Sequence, residues 1–436
     1  MPLLYNCLLN LLAPFALLRL LIKSRRNPEY RRHIGERFAY LLPPTKPASL
    51  WIHAVSVGEF LAIAPLLETL LARHTDLNLW ISCTTPTGRA QIAAFATGYP
   101  QRIQYSYLPY DSRGNIRRFL AHVQPRGVVL METEIWFNLL RQCQAQNIPT
   151  LLINARLSAK SLRGYYRFAR RLLRRVLPQL RINAQNRSDA KRFRFLCRDS
   201  RINITPSLKF AAPATATLPL QDFLPPNPQA PLWIAASTHE GEEKHILAAY
   251  KNLLHHLPQL RLCIAPRHPE RRDNICKLIE KSGFTPLLRS QGATLSSNTQ
   301  GIALLDTLGE LSAAMSCASV AFIGGSLIAR GGHNPLEAVH AGIPLCFGKS
   351  MFNFQDIAEQ LRKENFVRQC DADTLPDAVQ ALLDYHAQAG RQDIIAYSRR
   401  HSGDILDRHY AFIAQQIALD VSTHRATHKA SLCVLP

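Results

Sequence analysis

The run VAFIGGSLIARGGHNPLEAVHAGIPLCF, residues 320–347, reads as strand, glycine loop, helix and strand in succession. Residues 320–323 are a continuous apolar run bounded by glycine, the pattern of a strand covered on both faces. Gly324-Gly325 ends it. Asn334 is a residue type that caps helices, and Pro335 suits a first helical position. Glu337 then falls at the third helical position, so Asn334-x-x-Glu337 has the form of a capping box. Residues 344–347 begin the next apolar run. A strand that leaves through glycines into a helix, and then a second strand, is the repeating unit of a doubly wound sheet. Bare backbone beside a helix N-terminus also suits an anionic ligand. Glu337 would there accept hydrogen bonds from a ribose diol. Taken alone, the stretch fits a capped tight turn equally well.

The same alternation runs outward in both directions. Before this stretch lie apolar runs at 232–236, 261–265, 285–288 and 302–305, with helical patterns at 243–256 and 355–363 around it. The first half repeats the arrangement, with strands predicted at 50–55, 77–83, 103–108, 127–131, 150–154 and 181–185. Helices are predicted there at 60–72 and 115–123. Between the halves, PATATLPLQDFLPPNPQAP at 213–231 is proline-rich and lacks helical periodicity, so it reads as an interdomain linker. The 436 residues exceed one ordinary core. The fold class is α/β: two Rossmann-like domains, 25–212 and 232–415, facing a central cleft. A C-terminal tail covers 416–436, and the helical stretch 391–420 is placed to return across the cleft.

Lys and Arg number 52 against 31 Asp and Glu, a formal charge of +21. Such an excess points to a polyanionic neighbour: nucleic acid, an anionic membrane or phosphorylated substrates. From 160 to 201 there are fourteen Lys and Arg against two acids. Arg163, Arg167, Arg170, Arg171, Arg174 and Arg175 follow helical spacing on one side, with Leu172, Leu173 and Val176 on the other. No RNA-recognition or zinc-finger pattern accompanies them, which argues against a nucleic-acid partner. The ten cysteines are scattered with no CxxC pair, so they read as reduced thiols and not as a disulfide framework or zinc site. Residues 2–22 are nearly all apolar and are followed by Lys23, Arg25, Arg26, Arg31 and Arg32. This is the pattern of a membrane anchor helix at 1–24, spanning or interfacial, with the body on the cytoplasmic side. A buried core helix is the alternative.

Several strand ends carry chemistry. CIAPRHPERR at 263–272 leaves a strand through Pro266, Arg267 and His268, and arginine forks onto phosphate oxygens. DTLGEL at 306–311 and STHEGEE at 237–243 again end strands in glycine and acid. Four such ends in one domain, where this fold puts ligands, make a nucleotide the natural guest. In the first half, HAVSVGE at 53–59 sets Glu59 beside Gly58 at a helix start, as a candidate general base or simply a helix-start charge. METEIW at 131–136 places Glu132 and Glu134 just after a strand, where alternation points them the same way. NARLSAKS adds Arg156 and Lys160. Asp371-Ala372-Asp373 matches a metal-binding DxD pattern but stands before a helical run, so it reads as a cap. No His/Cys spacing suggests a metal.

These runs, with RRHIGERF, TTPTG, YLPYD, SLKF and FNFQD, make the chain resemble the 3-deoxy-D-manno-octulosonic acid (Kdo) transferases of Gram-negative lipopolysaccharide synthesis; they span 31–356 in the family's order. The resemblance implies a GT-B glycosyltransferase at the inner membrane. It implies inverting transfer of Kdo from CMP-Kdo to a lipid A precursor (lipid IVA), with no metal and no cofactor. It implies Glu59 as catalytic base and Glu132 and Lys209 as transition-state stabilisers. It implies CMP contacts at Pro266, Arg267, Leu308, Gly309, Glu310, Asn334, Pro335, Leu336 and Glu337. The chain departs from the family pattern at Phe137, where proline is usual, and at Pro206 and Ala211, which replace glycine and aspartate. It departs also at Leu308, which replaces methionine, and at Gly348-Lys349-Ser350, which replaces Gly-Pro-His. Two other functions fit the residues less fully: a transferase of this architecture with a uridine donor, and a non-catalytic binder of anionic membranes.

Overall fold

A computed structural model describes residues 2–25, 27–211, 220–295 and 300–418. The chain divides into two compact units, one of Met1–Ala212 with Ser402–Pro436 and one of Pro213–His401. The first unit carries β1 (Leu50–His53), β2 (Leu79–Cys83), β3 (Ile103–Tyr107), β4 (Gly127–Met131), β5 (Thr150–Ala155), β6 (Arg181–Ala184) and β7 (Arg201–Ile204). Among the described residues they form one all-parallel sheet of order β3-β2-β1-β4-β5-β6-β7. Strands β1, β2, β4 and β5 are buried at every position, as both faces are covered by helices. Buried Trp51 and Trp80 satisfy their indole N–H groups on the next strand, at Ser82 Oγ (2.8 Å) and Ser106 Oγ (3.1 Å).

The second unit carries β8 (Leu232–Thr238), β9 (Arg261–Pro266), β10 (Thr285–Leu288), β11 (Gly301–Leu304), β12 (Val320–Ile323), β13 (Leu345–Phe347) and β14 (Val367–Gln369). Its sheet is also parallel, of order β10-β11-β9-β8-β12-β13-β14. The strand order reverses at β1/β4 in the first unit and at β8/β12 in the second. Those reversals open crevices at the carboxyl ends of the strands.

The two-sheet α/β class read from the sequence is the observed one. Strands β7 and β14 carry no strand signal in the sequence: RINI is largely exposed and VRQ exposes two of its three residues, so neither has the apolar run of a central strand. Of the segment read as a linker, 213–219 lies outside the described residues. From Leu220 the chain is packed: Phe223, Leu224 and Ala230 are buried, and Phe223 C=O accepts from Leu295 N–H. The helical stretch Leu375–Ile417 is interrupted at Gly390. Its last turns belong to the first unit, where His409 meets Asn183 and a side chain on Gly127 would strike Ile417. Most of the tail read at 416–436 lies outside the described residues. The basic helix is not continuous, because a π-turn at Tyr165–Ala169 separates Ala159–Gly164 from Arg170–Val176. Leu172, Leu173 and Val176 are nonetheless buried, and the arginines other than half-buried Arg170 are exposed.

Helix α1 (Pro2–Ser24) docks on the first unit through its start. Tyr5 Oη donates to Asp111 Oδ2 at 2.8 Å, its ring meets Phe137 edge-on at 5.5 Å, and Asn138 Nδ2 donates to Asn6 Oδ1 at 2.9 Å. Phe137, one of the departures from the family pattern, is thus part of the helix's seat. Leu8, Leu11, Leu12, Phe15, Leu18 and Ile22 are exposed, one stripe at helical spacing. By length and composition Tyr5–Ser24 is long and apolar enough to cross a membrane.

Candidate active site

Both crevices collect the residues that the sequence singles out. In the first unit, β1 runs into helix α2 (Val57–Arg73), whose N-cap Ser56 accepts from Glu59 N–H at 3.4 Å. The Glu59 carboxylate turns back to accept from Val55 N–H at 2.9 Å. This reciprocal pair is a variant of the capping box, so Glu59 is held by the helix it starts. Burial raises its pKa to about 7, with Glu132 and Glu134 acting in the same direction and the Val55 amide and Lys209 against it. A carboxyl so poised exchanges a proton near neutral pH.

Glu132 follows β4 in the left-handed region, φ 53°, with its N–H on Ile153 C=O and its C=O accepting from Arg156 N–H. The two glutamates are therefore not on a strand, and strand alternation does not apply to them. Their carboxylates part: Glu132 Oε1 pairs with Lys209 Nζ at 3.2 Å, while Glu134 accepts from Trp136 Nε1 at 2.7 Å and faces His53 Nε2 at 3.9 Å. Burial holds His53 neutral, at about 4, and raises Glu134. Lys209 is set in place by Asn154, another left-handed residue (φ 51°), whose Oδ1 accepts from Leu208 N–H at 3.1 Å. Backbone held in a sparsely populated conformation at successive strand ends is characteristic of functional sites. Arg156 and Lys160 are exposed. The structure thus brings Glu59, Glu132, Glu134 and Lys209 together.

In the second unit, Pro266 ends β9 and Arg267 follows, its N–H on Thr238 C=O at 3.0 Å and its side chain exposed. The loop at 308–310 turns at Gly309 (φ 84°) with Leu308 79% exposed. Glu310 is bound by Arg289 at 3.1 and 3.4 Å and by the Thr307 hydroxyl, and the Arg289 hydrogen bonds keep its carboxyl below the usual range. After β12 the chain passes Gly324, where a Cβ would stand 2.3 Å from Ser237 C=O. Here the capping reading needs correction. The helix spans only Leu336–His340, starting one residue later than read, and Asn334 Oδ1 accepts from Leu336 N–H at 3.2 Å. Pro335 is the residue before the helix, since the Asn-Pro turn satisfies the amide that a cap would have taken. Burial raises the carboxyl of Glu337, which bonds the Asn334 side chain and feels the charge of Arg267.

Some residues have roles that the sequence reading did not assign. Glu242 of STHEGEE is fully buried and accepts from the N–H groups of Gly325 (2.7 Å), Ser326, Leu327 and His239 (3.0 Å each). It holds the glycine loop in shape. Glu243 takes Arg271 at 2.8 and 3.2 Å and the Thr238 hydroxyl at 2.9 Å. Glu36 of RRHIGERF likewise joins Arg89 at 2.8 and 3.0 Å to the amide of Tyr107 at 2.8 Å. That two of the three acids of STHEGEE are buried anchors shows only once the fold surrounds them, Glu240 staying exposed. Asp371 closes a turn ahead of the helix that starts at Leu375, exchanging hydrogen bonds with Thr374 at 3.0 and 3.2 Å. Among the described residues, no group of three or more His, Cys, Asp or Glu is arranged to hold a metal ion.

A family model described as 3-Deoxy-D-manno-octulosonic-acid transferase (kdotransferase) fits residues 32–212. The chain is 36% identical over 396 residues to the 3-deoxy-D-manno-octulosonic acid transferase of Haemophilus influenzae, covering 87% of this chain and 90% of that one. It is 35% identical over 418 residues to the enzyme of that name from Bordetella pertussis, covering 92% and 96%. A glycosyltransferase from Rickettsia africae shares the fold alone, with TM-score 0.56 and 10% identity over 86% of this chain and all of that one. Identity of this order, sustained over most of both relatives, means that the chain belongs to the 3-deoxy-D-manno-octulosonic acid transferase family of glycosyltransferases.

Proposed function

We propose that the protein transfers Kdo from CMP-Kdo to a lipid A precursor of the lipid IVA class, with inversion and with no metal or cofactor taking part. The observation that carries this reading is the Glu59 carboxyl, poised at about 7 beside the Lys209–Glu132 pair in the first unit's crevice. Glu59 takes the proton from the attacking sugar hydroxyl. The hydroxyl oxygen bonds to the anomeric carbon of Kdo as the bond from that carbon to the CMP oxygen breaks, and CMP leaves with the electron pair. One displacement assisted by one base inverts the centre. Lys209, with Glu132 orienting its ammonium, offers positive charge to the developing anion. In the second unit the turns at 308–310 and 334–337 hold the nucleotide, with Glu337 on the ribose.

The exposed apolar stripe of α1 and the exposed arginines of 163–175 support a place on an anionic membrane surface, which we take to be the cytoplasmic leaflet of the inner membrane. The docking of Tyr5 and Asn6 favours a helix lying in the interface. Thermal-shift titration with CMP, UDP and ADP tests the donor class. A rise selective for CMP is the expected outcome. A rise selective for UDP, or none for any nucleotide, would overturn the assignment.

A further inference from the structure

Two histidines meet at the crevice of the second unit. His239 follows β8 and His333 closes the glycine loop; their Nε2 atoms are 2.8 Å apart. The rings are nearly coplanar and meet edge to edge, with centroids 5.1 Å apart and planes 9° from parallel. Two ring nitrogens this close need a proton on one and a lone pair on the other. The pair can therefore take one further proton, on the free Nδ1 of the donating ring, and keep its contact. A second added proton would set two N–H groups head to head.

Their surroundings are cationic. Arg330 and Arg271 act on His239 and Arg267 acts on His333, while His268, edge-on to His239 at 5.8 Å, meets Glu270 at 3.1 Å. The nearby acids are engaged: Glu243 by Arg271 and Thr238, Glu242 by four backbone amides, and Glu270 by His268. Burial, then the neighbouring positive groups, hold both imidazoles below the ordinary histidine range, His333 at about 4. The free protein therefore keeps the pair neutral at pH 7 within a ring of positive charge.

We infer that His239 and His333 form a proton-linked seat for an anionic group of the donor, the pair taking up one proton as the anion arrives. The inference rests on the reading of the second unit as the donor site. The anion supplies the counter-charge that the protein lacks there, so the protonated pair becomes the favoured form only in the complex. The phosphodiester and the sugar carboxylate of the donor share this chemistry.

Calorimetric titration of the full chain with CMP methyl ester, in buffers of different ionisation enthalpy, counts the protons. This phosphodiester does not itself titrate near neutrality, whereas the monoester CMP does. The expected result is uptake approaching one proton as pH falls from about 8 to about 6. Affinity should gain by up to about tenfold per pH unit over that range. His239→Gln and His333→Gln, made separately, should each abolish the uptake, while Arg267→Ala should weaken binding and keep it. Uptake with free Kdo and not with the diester would support the inference and assign the seat to the sugar carboxylate. Binding of the diester and of Kdo without proton uptake in either case overturns the inference and leaves the donor-site reading standing. Uptake unchanged in both glutamine variants overturns it as well. No binding of either CMP or its ester overturns the donor-site reading and this inference together.

Discussion

Glu59 does two jobs with one carboxylate. Its hydrogen bond with Val55 N–H closes the start of α2, and its burial beside Glu132 and Glu134 brings its proton affinity near neutrality. The first role was legible only in part: Glu59 reads as a helix-start charge, while its cap Ser56 and the earlier first turn from Val57 came with the structure. The second was not, because it depends first on burial by the folded chain and then on acids more than seventy positions away. The pH consequence has a definite sign. The base form exists above about 7, so kcat/KM for transfer should fall below that value, by up to about tenfold per pH unit. Stability moves the other way: a carboxyl raised from 4.5 to about 7 favours the folded state at low pH and loses that contribution as pH rises through about 7. A pH–rate profile on the free enzyme checks the first statement; an acid limb near 4.5 would show that Glu59 is not the titrating base. His239 and His333 lie ninety-four positions apart, and no local pattern joins them.

At the scale of elements, central strands were legible and edge strands were not. Runs such as GVVLM are apolar because helices cover both faces, whereas RINI and VRQ at the sheet edges leave most of their side chains in water. The glycine loop was recognisable, but not that Glu242 holds it through four amides. The helix after it was read one residue too early because Asn-Pro imitates a cap. Helix α1 was legible as an apolar segment, and its docking was not, since Asp111 and Asn138 arrive from elsewhere in the chain. Deleting residues 1–22 should leave partial, salt-sensitive binding to anionic vesicles through the arginines of 163–175, with each cation contributing about 1 kcal/mol near the surface. Vesicle co-sedimentation over a salt series measures this. Equal binding to neutral vesicles would defeat the electrostatic part.

For the whole molecule, two parallel sheets each bring polar residues to the point where strand order reverses, and the two crevices differ in character. That of the first unit holds carboxylates around one lysine, suited to moving a proton. That of the second holds arginine, histidine and glycine-linked amides, suited to an anion. The division was legible from charge and glycine placement, while the mutual arrangement of the residues came only with the fold. Family membership names the sugar, and the proposed chemistry assigns the proton to one group. The direct test is single-turnover transfer of Kdo from CMP-Kdo to lipid IVA by Glu59→Gln, with CMP affinity measured in parallel. The account predicts CMP affinity near that of the unaltered protein and transfer slowed by about 10²–10⁴-fold. Transfer at a near-normal rate would contradict it, leaving Glu59 a helix cap and Glu132 the better candidate for the base.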